Sequence, residues 1–97
     1  MVKGKTPSGF KFALDEAIKT DWLLLKSIEN SESNDLNLRL KATIRLVSLL
    51  FGSDEKEEEY YQFVAPKYNG HVPFEVLRAD VTAMLTALND SENVIKK

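Results

Sequence analysis

The stretch from residue 36 to residue 51 limits the fold of this chain more than any other, because its apolar residues fit two periods. They alternate with polar residues as in a strand, and they also recur every three or four positions as in a helix. The stretch is too long for a typical strand and is rich in Leu, Arg, Lys and Ala, which favour a helix. Because apolar residues cover most of its circumference, we predict a central, buried helix from Leu36 to Phe51, capped by Asp35. Ile44 and Leu46 are both predicted to be buried, so that an aspartate at either position should unfold the protein.

That helix is predicted to end at Gly52, since glycine adopts the left-handed conformation of a C-terminal cap without a steric penalty. Ser53 can then cap a following helix. Asp54 and Glu55 fall in the first turn of that helix, where the helix dipole favours each negative charge by roughly 0.3–1 kcal/mol. Capping does not explain the acids of 57–59, which form either a solvated surface or a patch that faces a partner.

The candidate partner-binding residues belong to this acidic helix and are Glu57, Glu58, Glu59 and Tyr61. The three acids could meet a basic partner. Tyr61 lies on the side opposite the predicted inward face, which includes Phe63, so we expect the Tyr61 ring to be exposed. Exposed aromatic rings are suited to partner contacts, because aromatic residues dominate binding hot spots.

Outside these two helices the chain has an extended pattern, further helical stripes and polar ends. Residues 9–14 alternate and predict a short strand or an extended arm. Trp22 begins a helical stripe and, as the only tryptophan, is predicted to pack in the core. The apolar residues that follow Pro73 form the clearest amphipathic pattern of the chain. They predict a helix that begins at Pro73 and ends at Asn89.

These patterns predict a mainly all-α fold, a compact bundle of about four helices with a short extended N-terminal segment. Residues 1–8 are predicted to be a flexible N-terminal tail, because they are polar and contain glycine and proline. Residues 9–89 then form a single helical domain. Residues 90–97 are predicted to be a flexible C-terminal tail.

Composition narrows the classes of function. A chain of 97 residues with 43% hydrophobic and 29% charged residues has the balance of one globular domain. The net charge of −2, without a cluster of basic residues, argues against nucleic acid as a partner. Neither a signal peptide nor a stretch as long as a membrane span is recognisable, so we expect a soluble, intracellular protein without a membrane partner.

The sequence contains none of the common catalytic or ligand-binding motifs. It has no cysteine, and its one histidine, His71, lies in a turn without a second histidine to share a metal. The acids of 54–59 lack the order and the glycine of a calcium loop, and no glycine-rich phosphate loop occurs. We therefore predict no enzymatic activity, no catalytic residues, no cofactor and no metal site.

A series of short motifs resembles a known family. The motifs are Gly-Phe-Lys-Phe-x-Leu-Asp at 9–15, Asp-Trp-x-Leu-Leu at 21–25, Leu-Leu-Phe-Gly at 49–52 and Asn-Gly-His-Val-Pro at 69–73. In this order, with an acidic helix after the third motif, they resemble the small tail assembly chaperones of long-tailed bacteriophages and prophages. One departure is the polar loop at 29–35, which is rich in Ser and Asn here and is often acidic in that family.

The resemblance spans roughly residues 9 to 88 and implies a non-catalytic role in virion morphogenesis. Members of the family bind the long, mostly helical tape measure protein in the host cytoplasm, keep it soluble and help to recruit major tail protein subunits around it. The resemblance therefore implies these two partners, and the chain could also form a homo-oligomer. The alternative is a small helical adaptor or regulatory module, of phage or bacterial origin, that acts through protein contacts.

The resemblance also implies that a longer product of the same gene could exist. In the family, a ribosomal slip near the end of the chaperone frame often adds a second domain. A run of adenines that encodes Lys96 and Lys97 could serve as the slippery site, although two terminal lysines equally suit a solvated tail.

Overall fold

The computed structural model describes the backbone of residues 1–95 and the side chains of residues 1–90. The described chain contains a two-stranded sheet and four α-helices, which confirms the predicted mainly helical bundle with an extended N-terminal segment. The elements are β1 (Val2–Lys5), β2 (Lys11–Leu14), α1 (Trp22–Ser31), α2 (Leu36–Phe51), α3 (Asp54–Val64) and α4 (Phe74–Ile95). Short 3-10 helices, Glu16–Thr20 and Ala65–Tyr68, precede α1 and follow α3.

The helix ends lie close to where the sequence predicts them, because the capping side chains make their expected hydrogen bonds. The Asp35 carboxylate accepts from the backbone N–H of Asn37 at 3.0 Å, at the start of α2. Gly52 ends α2 with φ of 81°, and Ser53 Oγ accepts from the backbone N–H of Lys56 at 3.3 Å. The glycine and the serine between α2 and α3 are therefore an ordinary helix break.

The N-terminal strand corrects the prediction of a flexible tail over residues 1–8. β1 pairs antiparallel with β2, so that Val2 lies opposite Leu14. Gly9 has φ of 97° and closes the turn by donating its N–H to the carbonyl of Thr6 at 2.8 Å. The pairing forms because Leu14 is buried in the core, and β1 satisfies backbone groups that β2 would otherwise leave unpaired.

The core is centred on α2, as predicted. Six residues of this helix are buried, more than in any other helix over the described side chains: Ala42, Thr43, Leu46, Val47, Leu50 and Phe51. Leu46 packs in one cluster with buried apolar residues from β2, α1, α3 and α4. The Phe10 ring completes this cluster from the turn side, with its centroid 5.2 Å from that of Tyr60.

Three apolar side chains are more exposed than the sequence predicts. Ile44 is 62% exposed, because it lies on α2 opposite the face that carries Leu46 and Leu50. Trp22 is 69% exposed, because α1 turns Leu24 and Ser27 into the core instead. Phe63, expected on the inward face of α3, is 41% exposed. A helix with apolar residues on most of its circumference cannot bury all of them in a bundle this small, so some reach the surface.

The last helix corrects the predicted C-terminal boundary. α4 runs to Ile95, past Asn89, where the sequence predicted its end and the start of a flexible tail. Residues 90–95 contain neither proline nor glycine, so no residue in them forces the helix to stop. Lys96 and Lys97, which bear on a longer gene product, lie outside the described residues. Within residues 1–95, no helix combines the length and the apolar character that a membrane crossing needs.

Candidate partner-binding groove

A surface groove of about 440 Å³ lies between α2, α3 and the start of α4, and we call it the acidic groove. Its apolar lining comes from three segments: Ile44 and Val47 from α2, Val72 from the turn before α4, and Leu77 from the first turns of α4. Ile44 is the most exposed of these side chains. The groove therefore offers aliphatic surface that no part of the described chain covers.

The rim of the groove is acidic because of the spacing of residues along α3. Glu57 and Glu58 are each three or four positions from both Asp54 and Tyr61, so the four residues share one side of the helix and line the groove together. Among the side chains that the structure describes, the only ion pair joins the N-terminal ammonium of Met1 to a carboxylate of the first 3-10 helix. No cation of that part of the chain therefore pairs with the rim acids.

Tyr61 forms a fixed wall of the groove. Its hydroxyl donates to the backbone carbonyl of Gly70 at 2.9 Å, which ties α3 to the turn before α4. The turn is built from Asn69, with φ of 61°, and Gly70, with φ of 94°. The Tyr61 side chain is 43% exposed, as the sequence predicts. Because both ends of the residue are anchored, its ring presents a rigid aromatic surface to the groove.

The structure separates the four predicted partner-binding residues. Glu57, Glu58 and Tyr61 lie together in the acidic groove. Glu59 lies on another side of α3, where it faces a shallow pocket beside β2 together with Lys11. The helical period accounts for the difference. Glu57 and Glu58 are about 100° apart around the axis and both reach the groove, whereas Glu59 lies about 200° from Glu57 and points away from it.

Sequence reasoning missed the apolar lining of this groove. The sequence pattern predicts that Ile44 is buried, and it does not mark Val72 or Leu77 as site residues. A signal was present, because α2 has more apolar residues than one buried face can hold. The residues left over on such a helix mark a second apolar surface, but the pattern does not say which ones they are.

Beneath the groove, a buried hydrogen-bond network holds α3, α4 and the N-terminal turn together. Asp80, which is fully buried, accepts hydrogen bonds at 2.6 Å from the hydroxyls of both Tyr60 and Ser8. Its second carboxylate oxygen accepts from the backbone N–H of Ser8 at 3.2 Å. Thr6 Oγ1 lies 2.9 Å from Ser8 Oγ and accepts from the backbone N–H of Phe10.

Burial raises the pKa of Tyr60 far above its ordinary range, and the hydrogen bond to Asp80 raises it further. The phenol is therefore neutral and remains a donor at physiological pH. Tyr60 presents its ring to the groove while its hydroxyl binds Asp80, so the network fixes the base of the groove in place.

The side chains of the groove are suited to binding another molecule. The groove is lined by aliphatic residues, two tyrosines and three carboxylates, and it contains no histidine or hydroxyl nucleophile paired with a base. Over the side chains described, no group of three or more His, Cys, Asp or Glu residues is placed to hold a metal ion together. Comparison with protein-family models, with curated proteins and with solved structures gives no match to this chain.

Proposed function

We propose that this protein is a tail assembly chaperone of a long-tailed bacteriophage or prophage, and that it binds the tape measure protein in the acidic groove. The observation that carries the proposal is the combination of an apolar floor at Ile44 and Leu77 with two rim acids, Glu57 and Glu58, that form no ion pair with the described residues. The Glu58 carboxylate accepts a hydrogen bond of 2.7 Å from the amide of Gln62. In this role the protein acts in the host cytoplasm, without catalysis and without a cofactor. It also helps to recruit the major tail protein.

The chemistry of the groove fits one face of an amphipathic helix. The apolar stripe of such a helix can lie on the aliphatic floor, while basic side chains beside the stripe reach the carboxylates of the rim. A long helical client exposes many apolar stripes before the tail subunits surround it, and exposed apolar surface promotes aggregation. A protein that covers these stripes reversibly would keep the client soluble until assembly.

The proposal predicts a tape measure gene beside this gene, and the test is co-expression of its product with this chain. We expect the tape measure protein to be recovered in the soluble fraction and to co-purify with this chain. Ile44→Asp puts a charge on the apolar floor and is expected to weaken the complex by at least about tenfold, or about 1.4 kcal/mol. Because Ile44 is exposed in the free protein, the variant keeps its fold, which circular dichroism checks.

One result would reject this function, and another would reject the groove as its site. The first is a tape measure protein that stays insoluble and does not bind. The second is an Ile44→Asp variant that binds as tightly as the wild type, which would move the site away from the groove. If the groove instead captures a different bacterial protein, and Ile44→Asp abolishes that capture, the protein is an adaptor module.

A further inference from the structure

The outer edge of β2 has no neighbouring strand. Within residues 1–95 the hairpin forms a sheet of two strands, so β1 pairs with one edge of β2 and leaves the other open. The carbonyl of Phe10 accepts from the backbone N–H of Thr6 at 2.8 Å, so the backbone groups of every second residue from Phe10 onwards point towards β1. Those of Lys11 and Ala13 therefore point outwards and are available to another strand.

A pocket of about 250 Å³ borders this edge and has an aromatic lining. Its lining includes Phe10 and Phe12 beside the edge and Phe51 from the end of α2. Lys56 and Glu59 from α3 also line it, and because their charges are opposite they add no net charge. A strand that pairs with β2 can therefore turn apolar side chains into this pocket. We call the open edge and the pocket together the strand-edge site.

The outward face of the hairpin carries only positive charge. Side chains alternate along a strand, and Phe12 is buried, so Lys11 faces outwards. Lys5 lies opposite Lys11 in the register of the hairpin, and Lys3 is one repeat further along β1, so the three lysines share this face. All three are exposed, none forms an ion pair with the described residues, and residues 1–14 contain no Asp or Glu.

We infer that the strand-edge site binds an extended segment of another protein, in which acidic residues alternate with aliphatic or aromatic ones. Such a segment adds a third strand to the sheet through backbone hydrogen bonds to Lys11 and Ala13. Because successive side chains of a strand point to opposite faces, its acids lie beside the lysines of the outward face, and its apolar residues enter the aromatic pocket. The pleat of the sheet thus specifies both the charge and the spacing of the partner.

Charge argues against a second copy of this chain as the added strand. β1 and β2 carry lysines and no acid, so edge-to-edge pairing of two copies would bring like charges together across the new strand pair. A nucleic acid would attract the lysines, but it has no strand backbone to pair with Lys11 and Ala13. An acidic strand satisfies both the charges and the backbone groups.

The inference goes beyond the proposed chaperone function and does not depend on it. The strand-edge site shares no lining residue with the acidic groove. The groove is suited to a basic helix, whereas the edge of β2 is suited to an acidic strand. Ile44→Asp therefore tests client binding and should leave strand binding unchanged, so that each proposal can fail without the other.

The experiment titrates the full chain with the synthetic peptide Glu-Val-Glu-Phe-Glu-Val-Glu, blocked at both ends. Calorimetry measures its affinity, and NMR follows hydrogen exchange of the backbone amides. We expect the peptide to bind and to slow the exchange of the Lys11 and Ala13 amides, because both become hydrogen-bonded in the third strand. The control peptide has the same composition with all its glutamates first, and it should bind at least about tenfold more weakly.

Two kinds of variant separate backbone pairing from charge. Ala13→Pro removes an outward N–H, and proline is tolerated on a sheet edge where that group faces solvent. It should lower the affinity for the alternating peptide at least about tenfold, whereas the matched control Ala13→Val should bind like the wild type. Lys5→Glu with Lys11→Glu reverses the charge of the outward face and should lower the affinity by a similar factor. Circular dichroism checks that each variant keeps its fold.

Several results would overturn the inference. One is an alternating peptide that does not bind, and another is binding that leaves the exchange of the Lys11 and Ala13 amides unchanged. Equal affinity for the two peptides, or for a DNA oligonucleotide of equal charge, would show that the lysines attract any anion. A folded Ala13→Pro variant that binds as tightly as Ala13→Val would show that no strand is added at this edge.

Discussion

The hydroxyl of Tyr60 donates a hydrogen bond of 2.6 Å to Asp80, and it does so in the interior, where Asp80 is fully buried and Tyr60 is 3% exposed. The bond joins α3 to α4 directly beneath the acidic groove. Asp80 also holds Ser8, so the same carboxylate fixes the N-terminal turn. A buried carboxylate stabilises a fold only when its oxygens are satisfied, so each of these donors matters.

Removing the Tyr60 donor should destabilise the protein. Tyr60→Phe leaves Asp80 with one hydrogen bond fewer in a buried site, which costs about 1.5–3 kcal/mol for a bond to a charged group. Urea denaturation at neutral pH measures this loss. Tyr61→Phe is the matched control, because its bond to Gly70 is at the surface and should contribute less. Equal losses in the two variants would contradict the importance of the buried network.

The stability that Tyr60 provides should disappear at high pH. Its pKa is raised in the folded protein, by burial first and by Asp80 second, whereas in the unfolded chain it stays near the ordinary value of about 10. The contribution is therefore complete below pH of about 10 and is lost as the pH rises above it, by at most about 1.4 kcal/mol per pH unit. The difference in unfolding free energy between wild type and Tyr60→Phe should narrow over that range. A constant difference would mean that Tyr60 ionises equally in both states.

Two substitutions on α2 should have opposite consequences. Leu46 is 1% exposed, so Leu46→Asp buries a charge without a partner and should prevent folding. Ile44 is 62% exposed, so Ile44→Asp should leave the fold intact and affect only binding in the acidic groove. Circular dichroism and thermal unfolding distinguish the two. Loss of structure in Ile44→Asp would show that this side chain is needed in the core after all.

Replacing different acidic residues of α3 should have different effects on client binding. Glu57→Gln with Glu58→Gln removes charge from the groove rim and is expected to slow association with a basic client and to flatten its salt dependence. The melting temperature should hardly change, because exposed charges contribute only tenths of a kcal/mol to folding.

Glu59→Gln is the matched control, since Glu59 lies outside the groove. Client association should be the same for this variant as for the wild type. If single replacements of Glu57, Glu58 and Glu59 slow association equally, the position of an acid on the groove rim does not matter for binding. If none does, the acids are only a solvated surface.

The end of α2 should depend on the left-handed backbone conformation of Gly52. Gly52 has φ of 81°, and a Cβ atom there would meet nothing within 4 Å. Gly52→Ala should therefore cost about 1 kcal/mol through backbone strain, without a clash. Gly52→Asn should recover part of the loss, because asparagine tolerates the left-handed conformation. A loss in thermal unfolding that is the same for both variants would point to another cause.

Short-range signals in the sequence are sufficient to predict the local features of this protein. Asp35, Gly52 and Ser53 mark helix ends through their own side chains or backbone freedom, and such signals act over three or four residues. The length of the apolar stretch from Leu36 to Phe51 made a helix the only practical solution. The spacing of Glu57, Glu58 and Tyr61 on one helix face also follows from the sequence, because it depends only on the helical period.

Which surfaces those helices expose depends on how the helices pack against one another. Ile44 and Leu46 are both apolar and two positions apart, and their different burial depends on where α3 and α4 pack against α2. The residues of β1 carry no strand pattern of their own, because β1 forms by pairing with β2. The turn between the two strands is in turn fixed by the hydrogen bond from Ser8 to Asp80, 72 positions away in the chain. Long-range contacts of this kind leave no periodic pattern, because the residues that make them are neighbours in space and not in sequence.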